Sequence, residues 1–324
     1  MNQRFLLFFL LILICGCRQK DAVRVIKMGH GLGTSHPVHE AMVFLAERVE
    51  KKSAGQMQVK IYPNQQLGTE RELMELLQIG SLGMTKVSIA VMESFAPKLE
   101  MLSLPYLFRD DEHRHNILFG EIGKRLLLEG EDYWLRGLTF YDAGNRSFYT
   151  KNGPVESPDN LRGKKIRVME SNLASSMVKN FGGSPTPVSY GELYTALQQG
   201  VVDGAENNPP SLFTSRHYEV CKYYSINEHV ATPDIVLVST KIWNRLSPEE
   251  QNWLQEAAEE SAVYQRKIWA EATSHALKEM EKSGVTITYP DQEPFRSAVE
   301  PIYHSLENFQ PQLFDLIQEI RNHP

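Results

Sequence analysis

The stretch Leu161-Arg162-Gly163-Lys164-Lys165-Ile166-Arg167-Val168-Met169 places two cations on one side of a short apolar run. In a strand, Ile166 and Val168 share one face, while Lys165 and Arg167 share the other. Ligands of open α/β sheets bind beyond the carboxyl ends of strands, which is where Arg167 falls. A planar guanidinium there can grip a carboxylate through two parallel hydrogen bonds. The competing reading is a solvated, cationic strand face. Further along, Ser189 and Glu192 cap a short helix that Gly200 ends. Asp203-Gly204 then turns the chain, and Asn207 or Asn208 caps a helix entered by proline. A helix start flanked by asparagine amides suits an anion. Lys86 and Ser88 lie on one face of another strand and offer a second cation and a hydroxyl.

Other chemistry finds less support. Gly29-His30-Gly31-Leu32-Gly33 fails dinucleotide spacing, because Thr34 stands where a third glycine is needed. His36 and His39 are spaced to share a metal, and Asp110 to His115 is rich in carboxylate and imidazole. Neither has a third ligand in a known motif, and such residues crowd exposed helix starts anyway. There is no G-x-S-x-G and no P-loop. Cys221 sits beside Lys222 with no legible base. No residue set advocates an enzyme, a cofactor or a metal.

The elements that must position these residues alternate from the start. Strands are expected at Val23 to Met28, at Met57 to Ile61, and at Met84 to Val91. Others follow at Leu135 to Tyr141, Lys165 to Met169 and Ile235 to Ser239. Between the first two, Val38, Ala41, Met42, Leu45 and Val49 form a helical stripe. Thr69-Glu70-Arg71-Glu72 is a capping box. The alternation argues a mostly parallel sheet with helices on both faces. Ser247-Pro248-Glu249-Glu250 opens a helix with no Gly or Pro until Gly284, which could reach roughly 50 Å. That length suits a strut across two lobes, with two shorter helices as the alternative. No Pro/Gly/Ser-rich linker separates the lobes, so strand-like crossings are expected.

The 324 residues, 42% hydrophobic and 23% charged, suffice for two domains with real cores. A net charge of −6 leaves no global basic footprint for nucleic acid. Arg4 and the apolar run Phe5 to Ile14 fit a secretory leader, being too short to span a bilayer. The run ends in Leu13-Ile14-Cys15-Gly16-Cys17, which resembles a bacterial lipobox. That resemblance makes Cys17 the lipidated first residue of the mature protein, after removal of 1–16. Cys221 then remains as a lone thiol, so a structural disulfide is not expected.

Taken together, the motifs resemble the solute-binding proteins of tripartite ATP-independent periplasmic (TRAP) transporters, the DctP-type family. The matching residues are Gly182-Gly183 through Asn207-Asn208-Pro209-Pro210, His36-Pro37, Tyr62-Pro63 to Gln66-Leu67-Gly68, Leu104-Pro105-Tyr106-Leu107-Phe108 and Ser247-Pro248-Glu249. The resemblance implies an α/β, two-lobed periplasmic-binding-protein fold with a long helix spanning both lobes. Lobe I would comprise 22–144 plus 233–272, and lobe II 145–232 plus 273–324. It implies that Arg167 clamps the ligand carboxylate, with Arg146 as a second cleft arginine and Asn207 touching the same group. It sets Tyr190 where relatives pack an aromatic on the ligand, and Glu70 at an acidic cleft position. Ser88 stands where sialic-acid binders carry a glutamate, which speaks against that ligand. Lys86 is the candidate second cation that a C4-dicarboxylate would need, and His229 a further polar contact where the lobes cross. The run Val201 to Pro210 looks most like the hexuronate-binding branch. The implied protein is a monomeric, lipid-anchored periplasmic subunit that captures a small organic acid and delivers it to small and large permease subunits. A C4-dicarboxylate binder, a secreted enzyme acting on acidic sugars and a receptor feeding a sensor kinase are the alternatives.

Overall fold

The computed structural model describes residues 23–324, so the leader and Cys17 lie outside the described residues. Eleven strands are described: β1 (Arg24–Gly29), β2 (Met57–Tyr62), β3 (Met84–Ser88), β4 (Leu135–Tyr141), β5 (Arg146–Thr150), β6 (Lys165–Val168), β7 (Ser184–Pro187), β8 (Gly204–Asn207), β9 (Tyr223–Val230), β10 (Asp234–Ser239) and β11 (Thr286–Thr288). They form two sheets, one per lobe, in the orders β2-β1-β3-β10-β4 and β11-β9-β5-β8-β6-β7. The chain leaves the first sheet between β4 and β5 and returns between β9 and β10.

The expected parallel sheet is in fact mixed. In each sheet one strand runs against the rest, β10 in the first and β5 in the second. These are the strands that enter a lobe straight from a crossover. The other strands end at the cleft, so a strand that begins there must run the opposite way. β3 is also shorter than expected. It stops at Ser88, and Ile89–Met92 turn into a helix whose first N–H bonds Pro233 O at 3.0 Å. A continuous buried apolar run carries no periodicity with which to place that break.

The strut is one helix, Pro248–Lys282, of 35 residues. Ser247 Oγ accepts from Glu250 N while Glu250 returns to Ser247 N, closing the expected capping box. Leu254, Ala258 and Ala262 pack in the first-lobe core, and Ala276 and Met280 pack in the second. Between them the helix grips the first crossover. Gln265 accepts from Asp142 N at 3.1 Å and donates to Asp142 O at 2.7 Å, satisfying backbone that no ladder reaches. Gly144, at φ +59°, lies so close to Trp269 that a Cβ would stand 2.9 Å from the indole nitrogen.

Helix Glu293–Phe309 covers the second lobe, with Phe295 edge-on to Phe181. The last helix, Pro311–Asn322, returns to the first lobe. There Arg109 donates to Arg321 O at 3.0 Å, and Arg125 pairs Glu319 at 2.6 Å. The C-terminal segment therefore straddles both lobes rather than keeping to the second. Among the described residues no helix is long and apolar enough to cross a membrane.

Candidate functional site

Strand ends meet in the cleft between the sheets. β3, β6 and β8 bring Lys86 and Ser88, Arg167, and Asn207 near their carboxyl ends. The reversed strands bring their first residues, Arg146 of β5 and Asp234 of β10. These groups line a cavity between the two sheets. The crossovers thus supply two of these six side chains.

On the second-lobe wall, Arg167 is only 2% exposed. Its Nε donates to Val188 O at 2.9 Å, and its buried Nη1 has no partner. Burial lowers its affinity for a proton, and Arg146 nearby adds to that. The guanidinium stays charged nonetheless. Arg146 beside it makes four hydrogen bonds within its own lobe. Its Nε bonds Glu206 Oε2 at 2.5 Å, Nη2 bonds Glu206 Oε1 at 2.9 Å and Glu206 O at 2.8 Å, and Nη1 bonds Asn207 Oδ1 at 2.8 Å. Burial pushes the Glu206 carboxyl up, but Arg146 outweighs it and holds the group at about 2. Asn207 Oδ1 also accepts from Asn208 N at 2.9 Å. Its oxygen is spent, so the amide nitrogen is the group left to donate into the cavity. Asn208, not Asn207, is the helix cap, accepting from Ser211 N at 2.9 Å.

The first-lobe wall is built the other way. Lys86 Nζ lies 3.2 Å from Glu70 Oε1 and 3.1 Å from Asp234 Oδ2, with all three groups largely buried. Glu70 Oε2 also accepts from Ser88 N at 3.3 Å. Asp234 sits opposite Ser88 in the β3–β10 ladder, which sets it diagonal to Lys86 on the same face. Burial raises Asp234 to about 6, against the pull of Lys86 and with help from Glu70. Lys86 itself is held above its ordinary value, because its two acids outweigh burial. Lys86 therefore has no charge to spare, and the second cation that a dicarboxylate would need is already neutralised.

Tyr190 lines the cavity, its hydroxyl tied to Ser215 Oγ at 2.6 Å. His229 does not line it, which corrects the expectation of a direct polar contact. The ring is fully buried, stacks on Phe148 at 4.3 Å, bonds Asn227 Oδ1 through Nδ1 at 3.0 Å, and stands 3.6 Å from Glu206. Burial keeps it neutral behind the Arg146–Glu206 pair. Sequence reasoning missed Asp234, Glu206 and Trp269. Asp234 lies one residue before an expected strand, and Trp269 falls on the buried stripe of the strut.

The remaining motifs resolve into structure. His36 caps helix Pro37–Lys52 by accepting from Val38 N on Nδ1, so Nε2 carries the proton and donates to Ser211 Oγ at 3.1 Å across the cleft. A second tie joins the lobes where Glu93 accepts from Ser171 Oγ at 2.7 Å and from Leu173 N at 3.2 Å. His39 bonds His30 at 3.0 Å, and Asp110 caps helix Asp111–Phe119. Among the described residues no three such groups are placed to hold a metal. Cys221 is buried and its thiol is pushed up to about 12, which suits packing. Gly29 abuts Leu73, where a Cβ would stand 2.7 Å from a methyl carbon.

Residues 28–309 match the bacterial extracellular solute-binding proteins of family 7. An uncharacterised Salmonella typhimurium protein, YiiZ, is 40% identical over 289 residues, 89% of this chain and 88% of its own. A TRAP periplasmic solute-binding protein of Bradyrhizobium, solved with galacturonate, is 38% identical with a TM-score of 0.90, covering 93% of this chain and 100% of that one. Its counterpart from Anaerococcus prevotii, solved with glucuronate, is 37% identical with a TM-score of 0.88, covering 92% and 98%.

Proposed function

The chain belongs to the bacterial extracellular solute-binding proteins of family 7, and from that premise we propose that it captures a hexuronate such as glucuronate or galacturonate for a TRAP permease. The observation that carries the choice of ligand is the state of the buried cations. Among the described residues, Arg167 is the one buried arginine or lysine without an acid in salt-bridge reach, since Lys86, Arg114 and Arg146 are each paired. A single unpaired guanidinium calls for a single carboxylate. Asn207 adds a neutral donor beside it. Opposite, Glu70, Lys86 and Asp234 present donors and acceptors that suit sugar hydroxyls, and Tyr190 offers a face for the ring. A C4-dicarboxylate would bring its second charge against two carboxylates.

In this reading the protein binds and releases its ligand unchanged. Contacts from both walls favour the closed form, which His36–Ser211 and Glu93–Ser171 also bridge. The boundaries 22–144 plus 233–272 and 145–232 plus 273–324 would then be the moving bodies, apart from the last helix. We place it outside the cytoplasmic membrane as a monomer held by lipid on Cys17, delivering ligand to the small and large permease subunits. A thermal-shift panel tests the ligand, because tight binders stabilise the fold by mass action. Clear shifts with glucuronate or galacturonate are expected. Shifts with malate or succinate and none with either uronate would overturn the assignment.

A further inference from the structure

We propose that the end of the first lobe remote from the cleft is a bilayer-facing surface, on which the anchored protein rests. The inference builds on the lipobox reading of Cys17. Five residues separate Cys17 from Val23, a reach of at most about 20 Å. A lipid on Cys17 therefore holds the beginning of β1 close to the membrane, whichever way the tether runs.

What surrounds that beginning fits the partner. The end of helix Glu70–Ile79, the loop before β4 and helix Thr240–Trp243 come together there. Gln78 donates to Tyr133 O at 3.1 Å, Thr240 N to Trp134 O at 3.2 Å, and Arg24 to Arg245 O at 3.4 Å. Of the ten large hydrophobic side chains that the described chain exposes, Ile79, Tyr133 and Trp134 meet at this end, and Val23 and Val25 stand at the start of β1 beside Gly80. Scattered exposed apolar residues are ordinary, but a cluster marks a contact surface.

Trp134 is the centre of the patch. It takes a left-handed backbone at φ +61°, uncommon for a bulky residue, and leaves 49% of its surface in solvent. Lys241 Nζ stands 5.2 Å from the ring centroid. Adjacent Tyr and Trp with a lysine alongside match the headgroup zone, where amphipathic rings and long cationic stems settle. Charge alone does not recommend the surface. Glu250 pairs Arg24 and Glu131 pairs Arg136, so these cations are already matched. The contact is therefore carried by aromatic and apolar insertion, and a zwitterionic bilayer suffices.

The test reconstitutes the full-length processed protein into phosphatidylcholine vesicles with brominated acyl chains and follows tryptophan quenching. The wild type is expected to be quenched, and Trp134→Phe to lose most of that quenching while still floating with the vesicles. Val201→Trp in the Trp134→Phe background, on the far lobe, is expected to stay unquenched. Equal quenching in wild type and Trp134→Phe, or none in either, would overturn the proposal. So would quenching that appears only after permease subunits are added, which would make the partner a protein. Intact mass reports separately on the lipid at Cys17: a lipidated but unquenched protein sinks the surface and leaves the anchor standing. A protein without the lipid sinks the anchor and this inference together.

Discussion

Both walls of the cleft bury a cation, and only one of those cations lacks acid partners. Lys86 lies between Glu70 and Asp234, so its wall carries a net negative charge at neutral pH and is complete as folded. Arg167, on the opposite wall, gives one hydrogen bond to a neutral carbonyl and leaves a buried N–H group unmatched. A buried ion is costly until it is paired. The paired lysine therefore belongs to the architecture, while the unpaired arginine implies a partner that arrives from solution. Arg146, 21 positions before Arg167, shows the contrast within a single wall, because its buried carboxylate, Glu206, comes from the same lobe.

The sharpest way to break this comparison is to remove each arginine and measure stability without ligand. Arg146→Ala strands Glu206 in the core and is expected to cost about 3–5 kcal/mol. Arg167→Ala removes an ion that has no counter-charge, so chemical denaturation should show a change within about 1 kcal/mol. If the two variants lose stability equally, the distinction between architectural and functional arginine fails.

A smaller effect follows from Asp234. Its folded value near 6 lies above the ordinary carboxylate range, so the fold favours the protonated acid. The resulting penalty on stability is full above pH 6 and fades as pH falls toward the ordinary value. Below pH 6 Lys86 faces one carboxylate instead of two. Galactarate, with a carboxylate at each end, should then gain on galacturonate. Calorimetry at pH 7.5 and pH 5 is expected to show the affinity ratio shifting by about tenfold, roughly 1.4 kcal/mol, toward the diacid. A ratio that stays fixed, or moves the other way, would remove Asp234 from the selectivity of that wall.

The sequence made some of this legible and hid the rest for identifiable reasons. Capping boxes and the gap between Pro248 and Gly284 announced the strut helix, since caps are local chemistry. Arg167 was legible because its neighbours alternate as a strand. The reversed directions of β5 and β10 were not, because they follow from where the chain crosses between lobes rather than from any local pattern. The same holds for Asp234 and Glu206. Each acts through a cation distant in sequence, Lys86 148 positions earlier and Arg146 60 positions earlier, and no spacing rule links them. His229 was misplaced for a related reason, since a polar residue near a crossover can face the cleft or the core. Phe148 and Asn227 hold it in the core.

The central claim is that Arg167 and one carboxylate are made for each other, and a thermodynamic cycle tests it most directly. Calorimetry of galacturonate and of galactose, which differ at the carboxylate, would be run on the wild type and on Arg167→Ala. The wild type should prefer the acid strongly, and the variant should lose about 2–5 kcal/mol of binding to the acid while binding the neutral sugar nearly as before. If Arg167→Ala weakens acid and neutral sugar by the same factor, the carboxylate does not sit on Arg167.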